Sequence, residues 1–457
     1  MPTETAPSHA RRQFLRSVLA GGSAVAGHTA LFQLLAGASL AAADGKTGAP
    51  FDWTLKPVRD ATTGKALIEL PEGFRYFSFG WAGDAMADGV ICPGAADGMG
   101  VIAAKGARLT LVRNQEIWVD SGAFGLPDQA WDRGAGGGTT TLEVDLQTQK
   151  LVRAHASLTG TCANCSGGRT PWGSWLSCEE QVIADAAPPG RFTRGHGYVF
   201  DVPASGVARA EPLRALGQFR HEAAAVDARS GIVYQTEDRD PACGFYRFVP
   251  ARKGDLTKGR LQMLKAAAAP DLRGAAEVGR RYQVSWVDIE DPGRAHHAGR
   301  DEGGVVAQGI AAGGTQFLRL EGIYQGAGGF YFTSTSGGGA GAGQVWLYRP
   351  ATKTVELVYE SPDVRTMDYP DQLVALHEGL ILCQDSKRTL QQVLYWLTPG
   401  GAPRTFARNN VELDGINYRM AEWSGVCNSP DGRWLFANVY TPGFSIAITG
   451  PWERLRG

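Results

Sequence analysis

The chain has 457 residues, 43% of them hydrophobic, and a formal net charge of -1. That is ample for a large core, and length alone allows one big domain or two to three ordinary ones. Near-neutral charge argues against a nucleic-acid or anionic-membrane surface, so neither is expected as a partner.

The first segment carries an address. Arg11–Arg12–Gln13–Phe14–Leu15–Arg16 is a twin-arginine pattern, followed by a weakly apolar run from Ser17 to Leu40 and by Ala41–Ala42–Ala43. His28, Gln33 and several glycines make that run a poor membrane anchor, and no later segment is long and apolar enough to span a bilayer. Residues 1–43 are therefore expected to be a twin-arginine signal peptide handled by the twin-arginine export machinery. Residues 44–457 are expected to form a single β-propeller domain, a monomer without a stable anchor, periplasmic or secreted. Twin-arginine export carries folded proteins, which suits a chain that loads a metal before leaving the cytoplasm. An oxidising compartment favours disulfides. The chain has seven cysteines, and an odd count leaves at least one thiol unpaired unless two molecules are joined.

Residues 44 to 65 read as an extended lead-in. From Leu67 onward, short runs rich in Val, Ile, Tyr, Phe and Trp are cut by Gly, Pro, Asn and Asp clusters, the pattern of β-strands. Strands are predicted at Arg108–Arg113, Thr139–Asp145, Leu151–Ala156, Gly197–Val202, Gly231–Thr236 and Gly244–Val249. Ala266 to Val284 alone has some helical character. The glycine runs Gly134–Gly138 and Gly337–Gly343 precede no helix start, so they read as connections rather than phosphate cradles.

Thr161 to Glu180 concentrates Cys162, Cys165, Cys178, Trp172, Trp175, Asn164 and the adjacent Glu179 and Glu180. Gly167–Gly168 and Thr170–Pro171 are predicted to turn the chain into a strand from Trp172 to Cys178. Thiolates, carboxylates and an amide on a tight loop suit a metal site. A disulfide-stapled turn with two core tryptophans fits the same residues.

The second half repeats. Units open at His221–Glu222–Ala223, Leu320–Glu321–Gly322, Pro370–Asp371–Gln372 and Glu422–Trp423–Ser424. Each turns at a glycine and continues into an aromatic-rich third strand containing Tyr246, Trp346, Tyr395 or Ile446, at a nearly constant interval from the acid. Such units cannot bury both faces alone, and stacking them radially gives a β-propeller, all-β with little helix and about six blades for this length. The first half fits more loosely, with Glu116 after one strand and Glu179–Glu180 before Tyr198.

In a propeller the first strand of each blade lines the central channel. Glu222, Glu321, Asp371 and Glu422 should then converge near the axis. Carboxylates gathered without cations repel and cannot all ionise, so the convergence implies bound metal ions, hard cations such as Ca²⁺ or Fe³⁺. Arg319 lies two residues before Glu321 and shares its strand face, a placement suited to phosphate or carboxylate recognition or to a plain salt bridge. Glu237–Asp238 closes a second strand and offers further oxygens. No Gly-x-Ser-x-Gly, His-Glu-x-x-His or Asp-Ser-Ala nucleophile pattern occurs.

These residues resemble the PhoX-type alkaline phosphatases. The resemblance rests on Asn164–Cys165, Thr170–Pro171–Trp172–Gly173, Cys178–Glu179–Glu180, Arg220–His221–Glu222, Arg319–Leu320–Glu321, Pro370–Asp371–Gln372–Leu373 and Glu422–Trp423–Ser424–Gly425. It implies a six-bladed propeller holding Fe³⁺ and Ca²⁺ and hydrolysing phosphate monoesters without a protein nucleophile. Carried over, Cys165 is the iron-bound thiolate with Cys178 as the competing choice. Glu116, Glu179, Glu222, Glu321, Asp371 and Glu422 are metal ligands, and Arg319 holds substrate phosphate. Gln115 replaces a histidine of the family pattern, and Gln235–Thr236–Glu237–Asp238 replaces Met-Gly-Asp-Asp. Two other readings fit a calcium propeller: a lactonase or phosphotriesterase, and a binding module without turnover.

Overall fold

In the computed structural model, residues 51–184, 189–295, 304–398 and 400–455 are described; the twin-arginine segment lies outside them. Short apolar runs separated by tight turns pair with the run that follows, and this produces successive antiparallel meanders. Six such meanders stand around one axis as a six-bladed β-propeller. From the inside outward, the first blade is Ala96–Lys105, Arg108–Gln115, Gly137–Asp145 and Lys150–Thr161. The second has three strands, Asn164–Arg169, Ser174–Glu179 and Val199–Pro203. The third, fourth and fifth begin with His221–Val226, Leu320–Gly326 and Pro370–Leu376, and each carries extra strands on its outer edge.

The sixth blade is Trp423–Asn428, Trp434–Val439 and Phe444–Thr449, and its outermost strand is Arg75–Phe79 from the beginning of the fold. Ser445 pairs with Phe79 and Thr449 with Arg75. The ladder ties the two chain ends together, so the ring cannot open without breaking it. Each inner strand touches the next around the circle, and the sixth touches the first.

Each of the six blade junctions has its own apolar cluster. Between the third and fourth blades, Tyr234 and Phe245 meet Phe332 and Trp346; between the fifth and sixth, Ile381 and Trp396 meet Trp423 and Leu435. Full burial of one such side chain stabilises by about 1.5–3 kcal/mol. The axis is held from outside, leaving the channel free for polar groups.

The feature that places those groups is a bulge in every inner strand. Two residues there oppose one on the second strand, which bends the strand and re-aims its side chains. The bulged pairs are Asp97–Gly98, Cys165–Ser166, Glu222–Ala223, Glu321–Gly322, Asp371–Gln372 and Gly425–Val426. Two residues before the bulge, four blades use a left-handed backbone: Ala95 (φ 52), Ala163 (φ 46), Arg319 (φ 44) and Tyr369 (φ 49). The recurrence makes this conformation a property of how the chain turns into the channel, not strain peculiar to Arg319.

Crowding at the axis requires glycine at the second bulge position of the first and fourth blades. A Cβ on Gly98 would lie 2.4 Å from Ser166 Cα, and one on Gly322 2.6 Å from Gln372 Cα. The same crowding corrects the turn predicted at Gly167–Gly168. Both lie in the strand Asn164–Arg169, where a Cβ on Gly168 would meet the Ala224 carbonyl oxygen at 1.8 Å. The turn falls at Thr170–Gly173 instead, Trp172 is exposed, and Trp175 alone of the two tryptophans is buried. The segment 266–284 is not helical either: it is loop and the short edge strand Arg281–Gln283, whereas the α-helix among the described residues is Val305–Ala311. All seven cysteines are free and buried, so the expected disulfides do not form.

Candidate metal centre

The first bulge positions are Asp97, Cys165, Glu222, Glu321, Asp371 and Gly425. Five of the six are metal-ligating types, and the bulge turns them to one place on the axis. A second set stands one residue beyond the end of the second strand, where the pairing with the inner strand stops: Glu116, Glu180, Asp238 and Asp385. Three overlapping groups have ligand atoms within 4.8 Å of one another: Asp97, Glu116 and Cys165; Cys165, Glu180 and Glu222; Glu222, Glu321 and Asp371. All seven residues are buried.

Their electrostatics favour positive charge at this place. Burial first, and then repulsion from neighbouring acids, pushes Asp97, Glu180, Glu222, Glu321 and Asp371 well above the usual carboxylate range. Burial also lifts Glu116 to about 7 and drives the Cys165 thiol up, with Asp97 and Glu222 adding to the latter. Several oxygens have no hydrogen-bond partner among the described residues: Asp97 Oδ2, both oxygens of Glu222, and Asp371 Oδ1. A buried acceptor left unpaired costs about 1–3 kcal/mol. Cations would satisfy these oxygens and remove the repulsion, so the residues fit a metal cluster.

Two arginines stand among these acids. Arg319 donates from Nε and Nη2 to the two Asp238 oxygens at 2.8 and 2.9 Å, and from Nη2 to Glu321 Oε1 at 2.8 Å. Arg220 donates to Glu180 Oε1 at 2.6 Å. Both guanidiniums retain partial exposure, and the acids around Arg319 outweigh its burial and raise its pKa.

Of the expected ligands, the fold brings together Glu116, Cys165, Glu222, Glu321 and Asp371. Three stand elsewhere. Cys178 lies opposite the Cys165–Ser166 bulge, at the place that Cys383 and Ala437 occupy in other blades, and packs with Leu176, Val199 and Phe248. Glu179 accepts from the backbone of Cys162, Gly197 and Tyr198 and bonds His196, which consumes its lone pairs. Glu422 precedes the sixth bulge by three residues; it feels Asp385 and Asp97 but joins none of the three groups. Its apparent equivalence came from counting across two hairpin loops whose lengths differ from blade to blade. Asp97 and Arg220 were not expected at the site, and of the adjacent pair in the metal-type segment Glu179 was chosen as ligand where the fold presents Glu180. The signal for Glu180 was its place one residue beyond a second strand, which Glu116 and Asp238 share.

Beside this centre lies a buried charge relay of structural kind. His196 Nδ1 is 2.6 Å from Glu179 Oε1, and His196 Nε2 is 3.4 Å from Asp132 Oδ2, all three side chains being fully enclosed. Burial opposes a charge on His196, but Glu179 and Asp132 together lift its pKa from 6.5 to about 9. A raised folded-state value stabilises fully below pH 6.5 and is lost as pH climbs through 9. Wild-type thermal stability should therefore decline between pH 7 and 10. His196→Asn should destabilise by about 3–5 kcal/mol at pH 7, because two buried carboxylates lose their counter-charge. Denaturation midpoints across that range check both statements.

A closed propeller carries a carboxylate-and-thiol cluster on its axis, of a kind that could hold cations, with two arginines beside it. Its family follows from comparison: the sequence profile described as alkaline phosphatase PhoX matches residues 54–443, and the chain belongs to that family. The family consists of metal-dependent phosphatases whose substrates are small phosphate esters. No curated protein sequence matches the chain. Similar solved structures include the Myceliophteria thermophila Cps50 (Swd1) β-propeller domain, at 10% identity and TM-score 0.41, covering 79% of this chain and 98% of that one. An oligogalacturonate lyase in complex with manganese has 12% identity and TM-score 0.36, covering 91% and 100%. One from Vibrio parahaemolyticus has 10% identity and TM-score 0.37, covering 84% and 98%.

Proposed function

We propose that this chain is an exported phosphatase that hydrolyses phosphate monoesters at the axial cluster, loaded with Fe³⁺ and Ca²⁺. The observation that carries the reading is the set of buried carboxylate oxygens without partners, packed against one thiol. Cys165 belongs to two of the three groups, and a thiolate among carboxylates suits iron. Glu222, Glu321 and Asp371 offer oxygen alone, the donor set of calcium. Bound there, the cations would neutralise a phosphate dianion and polarise it toward attack.

The protein's own part is to position the ester. Asp238 and Glu321 fix Arg319 on its Nε and Nη2 edge, and Nη1 has no hydrogen-bond partner among the described residues. That nitrogen can donate to a phosphate oxygen without displacing either carboxylate. Because the guanidinium is already held, it loses little freedom when substrate arrives, and its charge strengthens the bond as negative charge builds on phosphorus-bound oxygen. The twin-arginine pattern Arg11–Arg12 supports export, which would put this chemistry where organic phosphate esters can be scavenged.

Gln372 supports the ligands from behind. Its Nε2 donates to Asp97 Oδ1 and its Oε1 accepts from Gly425 N, both at 2.5 Å, so one side chain spans three blades. Held by one oxygen, Asp97 presents the other. Gln372→Leu should lower metal affinity about 10–100-fold with the fold retained, measured by elemental analysis after graded chelation.

The decisive test is purified, exported protein assayed with p-nitrophenyl phosphate, with metal content and visible spectrum recorded. Phosphate release abolished by chelator, together with thiolate-to-Fe³⁺ absorption, supports the reading. Active folded protein containing neither iron nor calcium would overturn it, and turnover of lactones or phosphotriesters alone would redirect it.

A further inference from the structure

Past the bulges, the inner strands of all six blades continue down the axis and wall a chamber with about 80 Å³ open to the centre of a water-sized molecule. Ser166, Gly322 and Gln372 line it from the bulge level, and Gln372 is the residue that holds Asp97 on the other side. The bulge level therefore borders both the axial cluster and this chamber.

Their chemistry is opposite. The axial cluster gathers acids and a thiol. The chamber is lined by no aspartate or glutamate and by a single cation, Arg169. This arginine ends the strand Asn164–Arg169 at the exposed rim, within electrostatic reach of Tyr324 and Cys427. No carboxylate pairs with it among the described residues. Next to it, the Tyr324 hydroxyl donates to Asn428 Oδ1 at 3.1 Å, which leaves the phenolic oxygen free to accept and fixes a polar edge on the rim. Val101, Ile323 and Val426 add apolar wall.

One unpaired guanidinium above an apolar cavity matches a molecule with one anionic head and a compact apolar body. The planar fork of arginine fits a carboxylate through two parallel hydrogen bonds. A phosphate dianion would call for a second cation, and none lines this chamber. We infer that the distal chamber binds a small apolar carboxylate, its head on Arg169 and its body against Val101, Ile323 and Val426. The inference does not depend on the phosphatase reading, since no residue of the cluster supplies the contact.

Hexanoate is the probe, titrated by calorimetry into the full metal-loaded protein, with hexanol and acetate as controls for body without charge and charge without body. Saturable hexanoate binding, at least tenfold tighter than either control, is expected. Arg169→Gln should weaken it at least tenfold, and Arg169→Lys, which keeps the charge but not the fork, should fall between. Both variants should keep the wild-type melting temperature and turnover of p-nitrophenyl phosphate. Absence of saturable binding, hexanol binding as tight as hexanoate, or hexanoate affinity unchanged in Arg169→Gln (as carboxylate capture at the metal centre would give) overturns the inference.

Discussion

Arg319→Ala is expected to lower kcat/KM for a phosphate monoester by about 10²–10³-fold, the cost of losing one preorganised donor to transition-state charge. The direction of the effect on each constant matters. Arg319 meets the substrate dianion in the ground state and more strongly as charge shifts, so KM should rise and kcat should fall. The substitution also removes the partner of Asp238 and Glu321, which are 2.8–2.9 Å from the guanidinium. Cations on Glu321 would compensate there, whereas Asp238 is left to solvent and Arg220, whose pKa it helps raise. Melting temperature and metal content therefore need to accompany the kinetics. Arg319→Lys should recover part of kcat, because a point charge replaces a fork that Asp238 can no longer hold at two points. A variant that folds, keeps its metals and turns over substrate like wild type would remove Arg319 from the reaction. A binding module without turnover would have shown no activity to lose.

How the site came to be read explains both its successes and its misses. The acids Glu222, Glu321 and Asp371 stood out because the interval from each to Tyr246, Trp346 or Tyr395 is nearly constant, and those three aromatics hold the same register relative to the bulge even though the first hairpin is longer in the third blade. In the sixth unit the same arithmetic selected Glu422, since a shorter path through the hairpins offset a three-residue slip; the bulge register selects Gly425. Asp97 was invisible for a different reason. Its blade carries a long excursion between Gln115 and Gly137, and the repeat cannot be counted across it. Cys178 and Glu179 were attractive as metal-binding types in a dense motif, but strand alternation and the β-bulge decide which side chains reach the axis. One residue of register sends Glu180 to the cluster and Glu179 to His196. The fold itself was legible because it rests on repetition of a meander, which tolerates variable loops. Individual ligands rest on bulges, which leave little trace in a sequence beyond a small residue at the second position, as at Gly98 and Gly322.

Removing the cations should cost most at alkaline pH. Without them, Asp97, Glu180, Glu222, Glu321 and Asp371 hold protons in the folded state that the unfolded chain releases near pH 4. Carboxyl pKa values raised on folding mean that the folded state binds more protons, so stability falls as pH rises through the interval between the two values. Glu116, lifted from 4.5 to about 7, contributes on the order of 3 kcal/mol of that loss by itself. With cations bound, the same groups ionise against positive charge and the penalty disappears. Chelated protein should accordingly melt near the loaded form at pH 5 and far below it at pH 8, with added Ca²⁺ alone recovering only part of the gap because the Cys165 groups favour a softer ion. Cys165→Ser separates the two contributions: it should abolish the thiolate absorption and keep the calcium-dependent part of the stabilisation. Equal destabilisation by chelator at both pH values would mean that the buried acids are neutralised by something other than metal. In that case the axial cluster would be a proton store rather than a metal centre.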